Sequence, residues 1–473
     1  MRPLLRHTVA EKPFPPPRVL QFGGGNFIRA YFNWMLDAMN EQTGFNGSAI
    51  LVKPTPGGDY EALKAQEGLF HVCLRGIVDG KPKDDFQLVR SIGQVIQPYR
   101  DYARFQDTAR IRELKVVVSN TTEAGISYRP EDKLSDSPAR SFPGKLCQWL
   151  YHRYRSLEGN PESGCYVLPL ELVEDNGETL KKIVLKHAGQ WGLEEGFVYW
   201  LNRYNTFCNT LVDRIVPGYP STEADAIRKQ LGYDDQCLVL AEPYFLLAIE
   251  HYGDLPEVFP ARKAGLNVHF TNDLSAFRTL KVRILNGAHT AMVPVGLLAG
   301  LSTVGSVMRD AQVSAFLEAM LREEVVPTMD ADRQKAMAYV DDTLDRFRNP
   351  YVQHQLADIA LNSVAKVASR YLPTIIEHFR QFGRLPDRLC LALAAMIRFY
   401  RGKWHGETLP IRDTEQAVQH FREAWGASTM EACVRKSLEI WPVIPKDMVQ
   451  PLRHKLTVLL EQLEEKDIRA LLN

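Results

Sequence analysis

The 473 residues carry 57 Lys+Arg against 57 Asp+Glu, and this balance, without blocks of like charge, argues against a nucleic-acid face or an anionic membrane surface and for small-molecule partners. Two or three cores fit in such a length. Seven scattered cysteines (Cys73, Cys147, Cys165, Cys208, Cys237, Cys390, Cys433) form no Cys-x-x-Cys pair, and Met1–His7 has no signal-like apolar core, nor does any run approach ~18 apolar residues, so a reduced, cytoplasmic enzyme without a disulfide framework, zinc site or membrane span is the expectation.

After the Pro-rich stretch Lys12-Pro13-Phe14-Pro15-Pro16-Pro17, the apolar run Val19-Leu20-Gln21-Phe22 meets Gly23-Gly24-Gly25. Beyond it Phe27, Tyr31, Trp34, Met35 and Met39 recur at helical spacing as far as Gly44. Strand, glycine turn and helix in this order suit a dinucleotide pyrophosphate, because glycines let the backbone approach and the helix start offers unpaired N–H groups. Ile28 stands at the third glycine position of the motif, so a plain tight turn explains the same residues.

The next apolar run, Ala49-Ile50-Leu51-Val52, leads into Lys53-Pro54-Thr55, where an NAD site has Asp or Glu for the ribose 2′-hydroxyl; the first acid here is Asp59. Lys53 either neutralises a 2′-phosphate or is solvated, which leaves NAD against NADP open. Lys115-Val116-Val117-Val118 then delivers Ser119-Asn120-Thr121-Thr122-Glu123-Ala124-Gly125 to a strand's carboxyl end. Its hydroxyls and amide suit ribose or nicotinamide, or serve only as a helix cap.

Further apolar runs at Cys165–Leu168, Cys237–Leu240 and Val268–Phe270, most of them separated by helix-like stretches, predict a mostly parallel sheet covered by helices. After about residue 280 strand signals fade, and segments near 307–325, 333–346, 351–369, 386–401, 413–424, 428–439 and 447–463 predict helices. The chain therefore reads as an α/β Rossmann-like domain, 1–278, followed by an all-α domain, 279–473, that carries the substrate and catalytic groups. Lys281 lies near the junction, and clefts between domains are where small-ligand sites tend to lie.

Lys281-Val282-Arg283-Ile284-Leu285-Asn286-Gly287-Ala288-His289 sets a lysine, an amide and an imidazole ahead of the almost uncharged run Thr290–Leu298, which predicts a buried helix with its ionisable groups at one end. At 100° per residue Lys281, His289 and Asn286 fall at roughly 0°, 80° and 140°, an arc that one cavity can collect. Burial lowers the pKa of a lysine and makes it a proton-transfer group near neutral pH. The plainer alternative is a boundary lysine reaching water, an asparagine bonded to backbone and a satisfied core histidine.

Six segments in this order resemble, over nearly the whole chain, the mannitol dehydrogenase family of long-chain polyol dehydrogenases. They are Gln21–Ala30, Gln66–Phe70, Ser119–Gly125, Glu174–Gly177, Asn209–Ile215 and Lys281-x4-Asn286-x2-His289. The resemblance implies metal-free hydride transfer with NAD rather than NADP. It makes Lys281 the acid/base, Asn286 and Asn176 the amides that polarise the carbonyl oxygen, and His289 the group that orients substrate hydroxyls, with Asp213 as helper. Gln21, Phe22, Gly23, Gly24, Gly25, Asn26, Phe27 and Ile28, together with Lys53, Asn120, Thr121 and Thr122, would form the cofactor site.

In the segment 359–374, similar to the family's substrate helix, Lys366 and Arg370 share one face at i,i+4, and a keto-uronate or related sugar acid is the implied substrate. An exposed basic helix face is the alternative. The chain departs from the pattern at Glu171-Leu172, where mannitol dehydrogenases carry an Asp-Asn pair. A dehydrogenase of neutral polyols would keep the same catalytic residues. A non-catalytic nucleotide-binding regulator would have no need of Lys281, Asn286 and His289 together.

Overall fold

The computed structural model describes residues 1–9, 14–58, 60–121, 123–251 and 253–472; Lys12, Pro13, Asp59 and Thr122 lie outside the described residues. The chain divides into two compact units, Met1–Arg75 with Lys83–Leu274, and Gly76–Pro82 with Ser275–Asn473.

In the first unit, β1 (Pro17–Phe22), β2 (Ser48–Val52), β3 (Ile92–Ile96), β4 (Val116–Ser119), β5 (Tyr166–Pro169) and β6 (Thr206–Phe207) form one sheet in the order β3-β2-β1-β4-β5-β6. Every neighbouring pair is parallel, with Leu20 opposite Ile50 and Val117. Successive side chains of a strand point to opposite faces. Leu20, Phe22, Ile50, Val52 and Val117 accordingly enter one core, while Val19, Ala49, Val116, Val118 and Leu168 enter the other. Covering on both faces is why these strands read as unbroken apolar runs. The strand order reverses between β1 and β4, and in such sheets ligands bind outside the carboxyl ends at that switch point.

Two of the expected strands exist but belong elsewhere. Val239–Ala241 runs parallel to Phe70–Val78, which is hydrogen-bonded to Lys81–Val89 in a separate sheet, and Val268–Thr271 runs parallel to Leu246–Glu250, itself antiparallel to Thr210–Asp213. The connection between Phe70–Val78 and Lys81–Val89 is Asp79-Gly80, both at positive φ, as a two-residue hairpin turn requires. Lys81–Val89 escapes sequence detection because it opens with four exposed residues, Lys81-Pro82-Lys83-Asp84, and offers no apolar run.

The second unit is helical among its described residues apart from the hairpin tip Gly76–Pro82 and the short pair Lys403–Trp404 and Glu407–Thr408. Gly287–Leu298 is buried except at Leu297, and Asp387–Phe399 is buried from Leu389 onward; these two helices pack on each other. A helix apolar all round belongs inside a core. The stretch 351–369 is not one helix: Asn362, at φ 54°, separates Leu356–Ile359 from Ser363–Arg370. Leu372–Phe382, for which the sequence predicts nothing, starts with Pro373 in its first turn.

Candidate functional site

The residues singled out by the sequence fall into two groups, one in each unit. In the first, Gly23 follows β1 at φ 104°, and a Cβ there would lie 2.5 Å from the Asn120 carbonyl oxygen. A Cβ on Gly24 would meet Leu51 at 2.8 Å and Tyr60 at 3.0 Å, and the Gly24 N–H donates to the Tyr60 hydroxyl at 2.9 Å. Gly25 is different: a Cβ there meets nothing within 4 Å. It caps the helix that begins at Asn26 without a side-chain bond, so the turn has one open face at a helix start.

The other residues of this segment shape the turn from beneath. Gln21 and Asn33, both fully buried, exchange amide bonds at 3.0 and 2.7 Å, and Gln21 also donates to the Gly23 carbonyl at 2.9 Å. Phe22 packs between Phe105 and Phe142, with ring centroids 6.0 and 5.0 Å away. Asn26 Oδ1 accepts from Arg29, whose Nε donates to the Gly24 carbonyl, and burial holds that guanidinium below its usual pKa. Phe27 stacks on Tyr31 at 4.9 Å, and Ile28 is wholly buried just before the helix widens into the π turn Arg29–Asn33. Gln21, Phe22 and Ile28, expected to touch cofactor, are thus core residues that position the glycines.

Lys53 is not the solvated strand-end lysine that was one of its two expected roles. It is 4% exposed, and its ammonium donates to the carbonyls of Thr55 and Gly57, closing the loop that follows β2. Beyond β4, Asn120 Nδ2 donates to the Leu170 carbonyl at 3.3 Å. The Thr121 N–H and hydroxyl donate to Glu171 Oε1 at 2.8 and 2.9 Å, and the Ser119 hydroxyl to Oε2 at 3.0 Å. Burial raises the Glu171 pKa, and these bonds oppose the rise. Thr122, also expected here, lies outside the described residues.

Asn176 does not present a free amide. It is 1% exposed; its Nδ2 donates to the carbonyls of Pro169 and Glu171 at 2.9 and 3.0 Å, and its Oδ1 accepts the Thr210 N–H at 2.9 Å. With both hydrogens and the oxygen engaged, Asn176 ties strand ends together instead of donating to a substrate oxygen. Leu172, at the position where the resemblance leads one to look for an asparagine, is 64% exposed. Asp213 is buried at the end of Thr210–Asp213, beside Tyr31.

In the second unit Lys281 opens a π turn, Lys281–Asn286, which runs on into Gly287–Leu298. The 100° wheel therefore does not hold across Lys281–Asn286. Such widened turns recur at functional sites because they re-aim side chains. The turn packs against Arg333–Phe347 and Ser363–Arg370. A Cβ at Gly287 would sit 3.4 Å from the Arg370 carbonyl, so the two helices are in van der Waals contact there.

Asn286 is half-buried and its carbonyl accepts the Thr290 hydroxyl at 2.9 Å; that hydroxyl in turn accepts from Arg370 Nη1 at 3.1 Å. The structure thus brings Asn286, Thr290 and Arg370 together. Lys366, beside Arg370, donates to the Ile359 carbonyl at 2.8 Å, and burial, then the neighbouring guanidinium, pushes its pKa down. His289 lies against Phe347 and His354, at 4.4 and 5.1 Å between ring centroids. Thr290 and His354 carried no sequence signal, because their partners come from distant helices and loops. Among the described residues no group of three or more His, Cys, Asp or Glu is placed to hold a metal ion.

Two family models match the chain: the mannitol dehydrogenase Rossmann domain over residues 17–256 and the mannitol dehydrogenase C-terminal domain over residues 273–457. Altronate oxidoreductase of Bacillus subtilis (strain 168) is 42% identical over 410 residues, 87% of this chain and 84% of that one. Altronate oxidoreductase of Escherichia coli O17:K52:H18 is 38% identical over an alignment of 481 residues, covering 98% and 99%. Among solved structures, a D-sorbitol dehydrogenase in substrate-free form superposes with a TM-score of 0.84 at 21% identity, covering 97% of this chain and 96% of that one. Mannitol 2-dehydrogenase of Pseudomonas fluorescens, in a ternary complex with NAD and D-mannitol, superposes at 0.66 and 21% identity, covering 97% and 94%.

Proposed function

The chain belongs to the mannitol dehydrogenase family and is an oxidoreductase of the polyol-dehydrogenase type, and from that premise we propose that it interconverts D-tagaturonate and D-altronate with NAD as cofactor. The observation that carries the substrate class is the Asn286–Thr290–Arg370 chain of hydrogen bonds. It fixes a guanidinium, with Lys366 beside it on Ser363–Arg370, against the neighbouring helix that bears Asn286 and His289. A planar guanidinium held in place suits a carboxylate, which a neutral polyol lacks. The relatives named altronate oxidoreductase support the same reading.

The glycine turn fits a dinucleotide: its open face lies at Gly25, where the protein itself places nothing, and a helix begins at Asn26. When bound, the reduced nicotinamide supplies the hydride. The chain's own part is positioning and electrostatics. Arg370 and Lys366 take the carboxylate, His289 orients hydroxyls, Asn286 donates to the carbonyl oxygen, and protonated Lys281 delivers the proton as charge develops there.

Absorbance loss of NADH, and separately NADPH, with tagaturonate, fructuronate and fructose tests the proposal. Oxidation of NADH by tagaturonate supports it. Preference for fructuronate makes the enzyme the other keto-uronate reductase, preference for fructose a neutral-polyol dehydrogenase, and no oxidation with any of them a nucleotide-binding regulator.

Arg370→Ala should lower kcat/KM for the keto-uronate by roughly 10²-fold, as loss of a half-buried charge partner does, with little change for fructose. Equal losses on both substrates would give Arg370 a structural role only. The glycines separate fold from ligand. Gly23→Ala should lower the urea midpoint, through about 1–3 kcal/mol of backbone strain and a clash with Asn120. Gly25→Ala should keep that midpoint and weaken NADH binding about tenfold. Intact NADH affinity in Gly25→Ala would remove the open face of the turn from the cofactor site.

A further inference from the structure

Neither the fold nor the mechanism above gives a reason for one buried charge in the first unit. Glu171, 2% exposed, lies two residues beyond β5, and both its oxygens face Ser119–Thr121 at the end of β4. Two hydroxyls and one backbone N–H converge on the carboxyl group, and these bonds favour its ionised form against the burial that raises its pKa. The same loop borders the β1/β4 switch point, where its Asn120 carbonyl lies against Gly23. A glutamine would be the cheaper strut if the task were mechanical alone, since an amide escapes the desolvation of a charge.

The charge has a use in the chemistry. The nicotinamide ring is cationic when oxidised and neutral when reduced, so a carboxylate held behind its loop attracts one form and not the other. We propose that Glu171 is a positioning residue of the cofactor site, which latches the Ser119–Thr121 loop and by its charge favours the oxidised nicotinamide over the reduced one. This rests on the nucleotide reading above.

Dissociation constants of NAD and NADH, measured by calorimetry and fluorescence on the full chain alongside melting temperature, provide the test. Glu171→Gln should raise the ratio Kd(NAD)/Kd(NADH) about three- to tenfold with little change in melting temperature. Glu171→Asp, which keeps the charge on a shorter arm, should weaken both nucleotides and leave the ratio near that of the unsubstituted protein. Ser119→Ala loosens the latch without touching the charge and should likewise weaken both equally, which keeps the proposal testable if Glu171→Gln does not fold. An unchanged ratio in Glu171→Gln with a lowered melting temperature would make Glu171 a strut and overturn the proposal, as would full affinity for both nucleotides in Ser119→Ala. Failure of the unsubstituted protein to bind either nucleotide is a different result, and overturns the cofactor reading itself.

Discussion

Lys281→Ala is expected to reduce turnover of the keto-uronate near neutral pH by about 10²–10⁴-fold, the range that a positioned general acid supplies, while NADH affinity stays within a few-fold of normal. In the proposed reaction the oxygen of the reduced carbonyl needs a proton, and the ammonium of Lys281, on a half-buried widened turn, is the group we propose to deliver it. Arg283 on the same turn is engaged with Thr374 at 2.9 Å. Single-turnover absorbance with saturating NADH separates the chemical step from binding. A near-normal single-turnover rate in the variant would remove Lys281 from the mechanism, and partial restoration by added methylamine would identify the missing amine as the cause.

Asn286→Ala should lower kcat by roughly 10²–10³-fold with a smaller change in KM, the signature of a hydrogen bond that strengthens as charge grows on the oxygen. The contrast with Asn176 makes the test specific. The Asn286 side-chain amide makes no hydrogen bond that engages it elsewhere in the described chain, while Asn176 has both hydrogens and its oxygen committed to Pro169, Glu171 and Thr210. Asn176→Ala is therefore expected to show itself in melting temperature first, because it leaves buried carbonyls and an N–H without partners. If Asn286→Ala changed KM alone, Asn286 would be a substrate-binding residue and the oxyanion donor would have to be sought elsewhere.

The resemblance marked Lys281, Asn286 and His289 as a set, but not the shape of the helix that carries them. A regular wheel is a local rule, and the turn Lys281–Asn286 widens where it packs against Arg333–Phe347 and Ser363–Arg370, which lie far along the chain. Lys53 shows the same limit at shorter range. Its position after β2 was legible, yet its partners, the carbonyls of Thr55 and Gly57, depend on how the loop folds back. Glu171 appeared in the sequence only as a departure from a family pattern, because its partners Ser119 and Thr121 reach it across two strand ends.

What the sequence by itself determined was the local grammar. It comprised a strand entering a glycine turn that opens a helix, apolar runs buried on both faces, and helical periodicity after about residue 280. These follow from backbone φ and from side-chain spacing over a few residues, which hold before any tertiary contact forms. Tertiary structure alone decided which polar groups remain available. Asn176 and Asn286 are the same amide in the sequence, and they part company because one is buried against Pro169, Glu171 and Thr210. Likewise Arg370 becomes a fixed guanidinium only because Thr290, on another helix, accepts its hydrogen bond. A buried donor or acceptor must be satisfied by whatever the fold brings near, and those partners are set by packing between distant segments.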